Sequence, residues 1–283
     1  MPVFVFPGQG SQFPGMGKDL FDEFPDLVRQ ADEVLGYSIR ELCGEPGAPR
    51  LGRTRYAQPA IYAVNVLAYL RFQRAANLVP SYLLGHSLGE YCALFAAGAF
   101  DFATGLRLVA TRGELMGEAD GGSMAAVVGL TAEQVEQAAA SWDGGGIWVA
   151  NLNAPDQVVV SGRAEQVQAA RDHFLEAGAA RYVQLPVSGA FHSPLMQSAQ
   201  ARFEQVLATA EFSAPRIPVV ANLTGRIYTQ DALPGCLAAQ ICGAVRWSQS
   251  IRMLLDRGET RFIETGARQV LTPMIEKIAH LVN

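Results

Sequence analysis

The sequence predicts an α/β protein that combines a mainly parallel sheet with a compact inserted subdomain. Short β-branched or aromatic runs alternate with longer helical patterns before residue 117 and again after residue 216. Between residues 123 and 188 the order changes to βαββαβ. Alternating strands and helices are typical of a parallel sheet, and the βαββαβ order is typical of a ferredoxin-like unit.

The first part of the chain supplies two predicted strands and three predicted helices. Its opening Val-Phe-Val-Phe run predicts a strand, and apolar residues at helical spacing predict the helices. Asp101 stands directly before the third helix, in the position of an N-cap. In chain order the predicted elements are a strand at 3–6, a helix at 58–76, a strand at 81–84, and helices at 88–97 and 102–116.

The middle part supplies the strands and helices of the inserted unit. Glycines at 121–122 and the pair at 188–189 bound this unit, because glycine and serine favour turns. We therefore expect a large domain at 1–122 and 189–283 and a small subdomain at 123–188. The predicted elements are a strand at 124–128, a helix at 132–141, strands at 147–151 and 158–161, a helix at 164–176 and a strand at 181–187.

The last part returns to the first pattern, so the large domain is expected to be discontinuous in sequence. Strand and helix patterns again alternate, as in a parallel sheet. The predicted elements are a strand at 217–222, a helix at 247–257, a strand at 261–264 and a closing helix at 271–281.

Composition and charge argue against several classes of function. Of the 283 residues, 49% are hydrophobic and 17% are charged, and the formal net charge is −5. This charge argues against nucleic acid as the main partner, because phosphate backbones need a basic surface. Arg, Glu, Gly or Pro interrupts every apolar stretch before the roughly 18 residues that a membrane span needs. No membrane association is therefore expected.

Cysteine usage predicts the compartment. The four cysteines have neither the paired spacing of a zinc site nor the density of a secreted disulfide scaffold. We expect free thiols, no metal site and a reducing, cytoplasmic location. No basic leader precedes the first apolar run, which fits the same expectation.

The sharpest local motif is Gly85-His86-Ser87-Leu88-Gly89, which stands between a predicted strand and a predicted helix. This G-x-S-x-G pattern in a strand, turn and helix context indicates a nucleophile elbow. Ser87 is the candidate nucleophile, and the N–H groups at the start of the following helix face a developing oxyanion. The alternative is a serine that only caps the helix.

Comparison of the four histidines indicates that His192 is the candidate general base. His86 adjoins the serine on the turn and is expected to line the pocket instead. His173 lies mid-helix among charged residues, and His280 lies near the end of the chain. His192 lies in a loop after a predicted strand, where functional residues are common. The alternative is a buried histidine whose ring nitrogens are satisfied by the backbone.

A glycine-rich loop, Phe6-Pro7-Gly8-Gln9-Gly10-Ser11-Gln12, directly follows the first strand. Its flexibility allows the Gln9 backbone to approach an acyl group, so that the N–H groups of Gln9 and Leu88 form an oxyanion hole. The loop lacks a P-loop lysine and the full dinucleotide fingerprint. The alternative is an ordinary turn between a strand and a helix.

Arg112 lies near the end of an otherwise apolar helix. Periodicity favours a structural role, in which the arginine offsets the helix dipole or pairs with Glu114 or Glu118. The functional alternative is a bidentate clamp on a substrate carboxylate. Spacing alone leaves both interpretations open.

Six stretches together resemble one family, the malonyl-CoA:acyl carrier protein transacylases of fatty acid synthesis and the related acyltransferases of polyketide synthases. The stretches follow the family's order from the first strand to the last quarter of the chain. The resemblance implies an α/β-hydrolase-like large domain with an inserted ferredoxin-like subdomain. It also implies transfer of a malonyl group from coenzyme A to a carrier protein. The matching stretches are 6–12, 85–91, 112–116, 151–155, 189–196 and 245–247.

The resemblance also implies the roles of individual residues. The nucleophile corresponds to Ser87 and its base to His192. In the family a backbone carbonyl orients the histidine, where a hydrolase would use a carboxylate. The further implied roles are oxyanion donors (Gln9, Leu88), a carboxylate clamp (Arg112), substrate contacts (His86, Phe191, Asn153) and the histidine-orienting carbonyl (Arg246).

A short segment before the histidine bears on substrate choice. In the polyketide relatives, His-Ala-Phe-His accompanies malonyl and Tyr-Ala-Ser-His accompanies methylmalonyl. This chain has Gly189-Ala190-Phe191-His192, so its glycine departs from both patterns. Phe191 is expected to crowd an α-methyl branch and to favour malonyl. One methyl group is worth only roughly 1–3 kcal/mol in a pocket, so incomplete selection is expected.

The implied reaction is a ping-pong transfer with malonyl-CoA as substrate and no tightly bound cofactor. The expected partner is an acyl carrier protein, either free or as a domain of a synthase, met by a local basic patch. We expect a monomer that acts in trans, in either fatty acid or polyketide synthesis. Two alternatives stay open. One is an acyl hydrolase, which Arg112 disfavours, and the other is a non-catalytic carrier-binding module, which Ser87 and His192 disfavour.

Overall fold

The structure is a computed structural model, and it describes residues 1–76 and 78–280. Its strands form two separate four-stranded sheets, one parallel and one antiparallel. The strands are β1 (Val3–Phe6), β2 (Tyr82–Gly85), β3 (Gly122–Val128), β4 (Ile147–Ala154), β5 (Gln157–Arg163), β6 (Arg181–Gln184), β7 (Val219–Val220) and β8 (Phe262–Glu264).

Helices surround both sheets, and three short 3-10 helices lie at Glu45–Gly47, Pro194–Met196 and Gln230–Ala232. The α-helices are α1 (Lys18–Glu23), α2 (Pro25–Leu35), α3 (Ile39–Cys43), α4 (Ala48–Leu51), α5 (Thr54–Ala76), α6 (Gly89–Ala96), α7 (Phe102–Gly117), α8 (Ala132–Ser141), α9 (Ala164–Ala169), α10 (Arg171–Glu176), α11 (Gln197–Ala208), α12 (Leu233–Ala239), α13 (Trp247–Asp256) and α14 (Thr272–His280).

The parallel sheet has the strand order β7-β2-β1-β8 and carries the core of the large unit. Strand β1 pairs on both edges and is buried along its whole length, as expected for a parallel strand covered on both faces. Its residues alternate between two hydrophobic clusters: Phe4 and Phe6 pack into one, and Val3 and Val5 pack into the other, beside Trp247. The sheet therefore separates two helical layers.

The antiparallel sheet has the strand order β4-β5-β3-β6. Numbered within the inserted unit, this is the order 2-3-1-4, which is the ferredoxin-like arrangement that the sequence predicts. The unit has its own hydrophobic cluster, in which Val127, Val160 and Phe174 are fully buried. The predicted helix at 164–176 is divided into α9 and α10, because Ala170 flattens to ψ −9° between them.

The chain leaves and re-enters the large unit at neighbouring points. An added Cβ at Gly122, where β3 begins, would lie 2.1 Å from the backbone nitrogen of Ala190. The backbones before and after the inserted unit are therefore in direct contact. The division into 1–122 with 189–283 and 123–188 remains a prediction.

Within residues 1–76 and 78–280, no helix combines the length and apolar character needed to cross a membrane. Across the same residues, no three His, Cys, Asp or Glu side chains are grouped as a metal site would require. The four cysteines are free thiols. The last residue of the predicted closing helix, Leu281, lies outside the described residues.

Candidate active site

The turn between β2 and α6 holds Ser87 in a strained conformation. Ser87 has φ +51°, and His192 has φ +59°; these are the two non-glycine residues with positive φ in the described chain. Such backbone angles cost energy and cluster at functional sites. A Cβ on Gly85 would lie 1.9 Å from the carbonyl carbon of Gly89, and one on Gly89 would lie 2.1 Å from the oxygen of Phe6. Gly89 is therefore required for the turn to pack on β1, and Gly85 is required for the turn to pack on the start of α6.

The side chain of Asn222 fixes this turn. Its Oδ1 accepts the Ser87 N–H at 2.6 Å, and its Nδ2 donates to the carbonyl of Gly85 at 2.6 Å. Asn222 lies just after the short strand β7, two residues beyond Val220. The predicted strand at 217–222 is thus shorter in the structure, which leaves the Asn222 side chain free to hold the nucleophile.

Ser87 and His192, 105 residues apart in sequence, are hydrogen-bonded. The distance from Ser87 Oγ to His192 Nε2 is 2.8 Å. On its other side, His192 Nδ1 lies 2.8 Å from the carbonyl oxygen of Gln240 and 3.1 Å from that of Gly243. Carbonyl oxygens only accept hydrogen bonds, so Nδ1 carries the proton and Nε2 is free to accept one from Ser87.

The prediction that the Arg246 carbonyl orients His192 is wrong. That carbonyl accepts hydrogen bonds from the N–H of Ser250 at 3.0 Å and from its Oγ at 2.8 Å. Arg246 is the N-cap residue of α13, so its carbonyl belongs to the first turn of that helix. The orienting carbonyls belong to Gln240 and Gly243, in the turn that precedes it.

The environment of His192 keeps its imidazole neutral. The pKa of His192 is lowered from its ordinary value to about 3. Burial is the largest cause, and the neighbouring Arg112 cation is the second. The two carbonyl acceptors act in the opposite direction, but more weakly. At neutral pH the ring can therefore take a proton from Ser87.

Arg112 is fully buried and its guanidinium lies beside the nucleophile. Nη1 donates to Gln58 Oε1 at 2.7 Å, and Nη2 donates to Gln240 Oε1 at 2.8 Å and to Ser87 Oγ at 3.2 Å. One part of the structural alternative, the pairing of Arg112 with Glu114 or Glu118, is wrong. Those carboxylates pair instead with Arg55 and Arg202 on the surface.

Arg112 retains its full charge for a ligand. Among residues 1–76 and 78–280, it forms no ion pair with any carboxylate. Both of its nearest acceptors, Gln58 and Gln240, are neutral amides. A buried cation that hydrogen-bonds only to neutral groups is suited to a carboxylate ligand.

The N-terminal loop lies against the nucleophile turn. A Cβ added to Gly8 would lie 2.3 Å from the carbonyl oxygen of His86 and 3.6 Å from the nitrogen of Leu88. In the part of the chain that the structure describes, the N–H groups of Gln9 and Leu88 donate to no backbone or side-chain acceptor. Two free donors on adjoining segments meet the requirement for an oxyanion site.

These groups line one cavity of about 310 Å³ between the two sheets. His86 Nε2 lies 2.8 Å from Asn153 Oδ1, so the nucleophile turn contacts strand β4 of the inserted unit. Phe191 is nearly buried and forms part of the wall. The predicted site residues in its lining are Gln9, His86, Ser87, Leu88, Arg112, Asn153, Phe191 and His192.

Comparison with known proteins decides the family. The profile of the family described as "Acyl transferase domain" matches residues 3–281. The chain belongs to this acyl transferase family.

Several known proteins are similar to this chain over nearly all of its residues. BaeC of Bacillus velezensis, a polyketide biosynthesis malonyl CoA-acyl carrier protein transacylase, is 51% identical, covering 98% of this chain and 96% of BaeC. The polyketide biosynthesis protein ThaF of Burkholderia thailandensis is also 51% identical over 98% of this chain, but this chain spans only 24% of ThaF. The crystal structure of the malonyl CoA-acyl carrier protein transacylase from Burkholderia pseudomallei superposes with a TM-score of 0.95 at 45% identity, covering 99% and 98% of the two chains. The predicted α/β fold class with an inserted ferredoxin-like unit is confirmed.

Four supporting residues of this acyl transferase escaped the sequence analysis. Gln58 and Gln240 hold Arg112, and Asn222 holds Ser87. Glu90, a buried carboxylate next to the nucleophile motif, contacts both Asn222 and Gln240. Glu90 could have been noticed in the sequence, because it directly follows the G-x-S-x-G motif. Gln240 had no such signal, because it lies in a turn without a motif, 153 residues from Ser87.

Proposed function

We propose that the protein transfers a malonyl group from malonyl-CoA to the phosphopantetheine thiol of an acyl carrier protein, through an ester on Ser87. The observation that carries this proposal is the buried Arg112 guanidinium 3.2 Å from Ser87 Oγ. A carboxylate on the acyl group of an acylated Ser87 can replace this contact and keep a charge-assisted hydrogen bond. Similarity to BaeC and to the Burkholderia pseudomallei protein, both malonyl CoA-acyl carrier protein transacylases, supports the same reaction.

The first half-reaction acylates the enzyme. His192 Nε2 takes the proton of Ser87 Oγ while the oxygen attacks the thioester carbonyl of malonyl-CoA. The N–H groups of Gln9 and Leu88 stabilise the resulting oxyanion. When the tetrahedral intermediate collapses, the carbon–sulfur bond breaks and His192 returns the proton to the departing thiolate of coenzyme A.

The second half-reaction repeats these steps with the carrier thiol. His192 takes the thiol proton, the sulfur attacks the Ser87 ester, and the same oxyanion site holds the negative oxygen. Collapse then breaks the bond to Ser87 Oγ, which recovers its proton from His192. Side chains and backbone groups carry every step, so this scheme needs no tightly bound cofactor.

The cavity wall supports a preference for malonyl. Arg112 attracts the carboxylate, and both of its amide partners hold the guanidinium in place while leaving its charge for the substrate. Phe191 lies in the wall beside His192, where it would restrict a branch on the acyl group. His86 and Asn153 also line this cavity and are hydrogen-bonded to each other.

A transfer assay with two acceptors tests this function. Purified protein is mixed with radiolabelled malonyl-CoA, with and without a carrier protein bearing its phosphopantetheine arm. Transfer predicts label on the carrier protein at a rate well above the release of free malonate. A hydrolase would release malonate at the same rate with or without the carrier. A carrier-binding module would bind the carrier protein but release no coenzyme A. A carrier protein lacking the arm is the matched control.

A further inference from the structure

Glu90 is a fully buried carboxylate that the proposed reaction does not use. It lies on the first turn of α6, three residues after Ser87, with its side chain directed away from the cavity lining. Burying an ionisable group is costly unless hydrogen bonds satisfy it. Its contacts therefore indicate why the chain keeps a glutamate here.

The two oxygens of Glu90 have different partners. Oε1 accepts the N–H of Asn222 at 2.8 Å and the hydroxyl of Tyr228 at 2.9 Å. Oε2 accepts a hydrogen bond from Gln240 Nε2. One oxygen therefore bonds to the segment that holds the Ser87 turn, and the other bonds to the amide that holds Arg112.

The Gln240 amide has one orientation that satisfies all its neighbours. Its Nε2 donates to Glu90 and to the Ser87 carbonyl at 3.0 Å, and its Oε1 accepts from Arg112 Nη2 at 2.8 Å. An amide rotated by 180° would point an N–H at the guanidinium, which only donates, and an oxygen at two acceptors. An ionised Glu90 therefore selects the orientation that holds Arg112.

We propose that Glu90 is a positioning residue for acyl-group selection: it fixes the Gln240 amide so that the Arg112 guanidinium faces the acyl group on Ser87. The Gln240 amide lies between Glu90 and Arg112 and keeps them from forming a direct ion pair, which would neutralise the charge of Arg112. With Gln240 as intermediary, the carboxylate orients the guanidinium while the charge stays free for a substrate carboxylate. This inference rests on the proposed malonyl transfer.

Glu90→Gln is the sharpest test. The Oε1 of the new glutamine can still accept hydrogen bonds from Asn222 and Tyr228. The NH₂ group of the new glutamine must then face the NH₂ group of Gln240. Two donors face each other, and the Gln240 amide must rotate or move away. Arg112 then loses an acceptor, and the Ser87 acylation rate with malonyl-CoA should fall about 10-fold or more relative to that with acetyl-CoA, because hydrogen bonds to charged groups carry such factors.

Tyr228→Phe is the matched control. It removes a hydrogen bond from the same carboxylate, but from Oε1, which does not contact Gln240. The malonyl-to-acetyl ratio should stay within about twofold of wild type. Burial raises the pKa of Glu90 to about 7, so both variants are compared with wild type at pH 8, where the carboxylate is ionised.

The malonyl-to-acetyl ratio of Ser87 acylation rates distinguishes a positioning role of Glu90 from a general structural role. An equal fall in both acylation rates in Glu90→Gln, or an equal change of ratio in Tyr228→Phe, would overturn the inference. If Glu90→Gln does not fold, Glu90→Asp withdraws the oxygen from Gln240 while keeping the charge. An unchanged ratio in Glu90→Asp would then overturn it.

A readout without turnover distinguishes this inference from the proposed function. Side-chain amide protons bonded to a carboxylate resonate downfield, so the Gln240 NH₂ signals, assigned with a Gln240→Met variant, should shift upfield in Glu90→Gln. If the Gln240 NH₂ signals did not change in Glu90→Gln, Glu90 would not be positioning Gln240, even if the enzyme were active. If wild type forms no malonyl ester while these signals shift, the proposed function fails and the contact from Glu90 to Gln240 stands.

Discussion

Two side chains from other segments of the chain contact the side-chain oxygen of Ser87. His192 Nε2 contacts it at 2.8 Å and Arg112 Nη2 contacts it at 3.2 Å. One of these neighbours accepts a proton and the other carries a fixed positive charge. The same cation that suits a carboxylate ligand also helps to keep His192 neutral. In the proposed reaction, Arg112 therefore affects both the pKa of His192 and the choice of acyl group.

Replacing Arg112 should weaken selection for a carboxylated acyl group. In Arg112→Gln the charge is lost while amide donors remain, so Ser87 acylation by malonyl-CoA should slow about 10–100-fold, equivalent to roughly 1.5–3 kcal/mol for a hydrogen bond to a charged group. Acylation by acetyl-CoA should change far less. Stopped reactions read by intact mass give both rates. Arg107→Gln, on the exposed face of the same helix, is the control, and an equal loss for both thioesters would refute the clamp.

His192 should be neutral and protonated on Nδ1 across the physiological range. Its pKa is lowered to about 3, so the ring gains a proton only as the pH falls toward that value, far below an ordinary histidine. Long-range ¹H–¹⁵N spectra from pH 8 to pH 5, assigned with His192→Gln, should show one unchanging tautomer. Titration near pH 6.5, or a proton on Nε2, would contradict the assigned geometry.

Local sequence patterns were enough to select Ser87 and His192 as candidates. They could not identify the residues that hydrogen-bond to these two side chains and fix their positions. A glycine-flanked serine between a strand and a helix has a steric meaning of its own, and the four histidines could be compared one by one. Arg112 was ambiguous, because its burial depends on Gln58 and Gln240, which lie 54 and 128 residues away. Arg246 was misassigned since a carbonyl's partner depends on where the next helix begins.

Among the elements, the β2-to-α6 turn sets the position of Ser87, the proposed nucleophile. Gly89 packs against the end of β1, and Gly85 packs against the backbone of Gly89 and Glu90, so neither position has room for a Cβ. The long helices α5 and α7 of the large unit were predictable, because each is long enough to show its own period. The short helices α1 to α4 were not predicted, because none of α1, α3 and α4 is longer than two turns. The shortness of β7 was not, because Asn222 leaves the strand to bond with the turn from β2.

Adding one methyl group to the turn should damage both stability and activity. A Cβ at Gly89 would lie 2.1 Å from the oxygen of Phe6, so Gly89→Ala must push β1 and α6 apart. We expect a loss of more than about 1 kcal/mol in the free energy of unfolding, within the range typical of overpacked sites. Urea unfolding measures it, together with the acylation rate.

Gly235→Ala is the control for this substitution. Gly235 lies in α12 with nothing within 4 Å of an added Cβ, so alanine there should raise stability by roughly 0.5–1 kcal/mol. If the two variants had the same stability and activity, close packing of the nucleophile turn would not explain the requirement for glycine.

At the scale of the whole molecule, the cavity lies between two sheets with separate hydrophobic clusters. The large unit supplies Ser87, His192 and Arg112, and the inserted unit supplies Asn153 on β4. The change from alternating elements to βαββαβ made this division predictable from sequence. The packing of the two units against each other was not predictable, because their contacts, such as His86 with Asn153, join residues without a shared pattern.

Weakening the inserted unit's cluster should loosen that unit alone. Phe174 is fully buried there, so Phe174→Ala should cost about 3–5 kcal/mol locally. Hydrogen exchange should then accelerate across 122–184 while β1 and β2 stay protected. Uniform acceleration through both sheets would mean that the predicted boundaries near 122 and 189 do not separate two cooperative units.

The most direct test of the proposed function is the mass of the protein after brief mixing with malonyl-CoA. We expect one added malonyl group on the peptide that contains Ser87. It should be absent in Ser87→Ala and removed within a turnover when carrier protein is added. A wild-type protein that keeps its unmodified mass while no coenzyme A is released would contradict the proposed function. So would a malonyl group attached elsewhere, or one on Ser87 that the carrier thiol cannot remove.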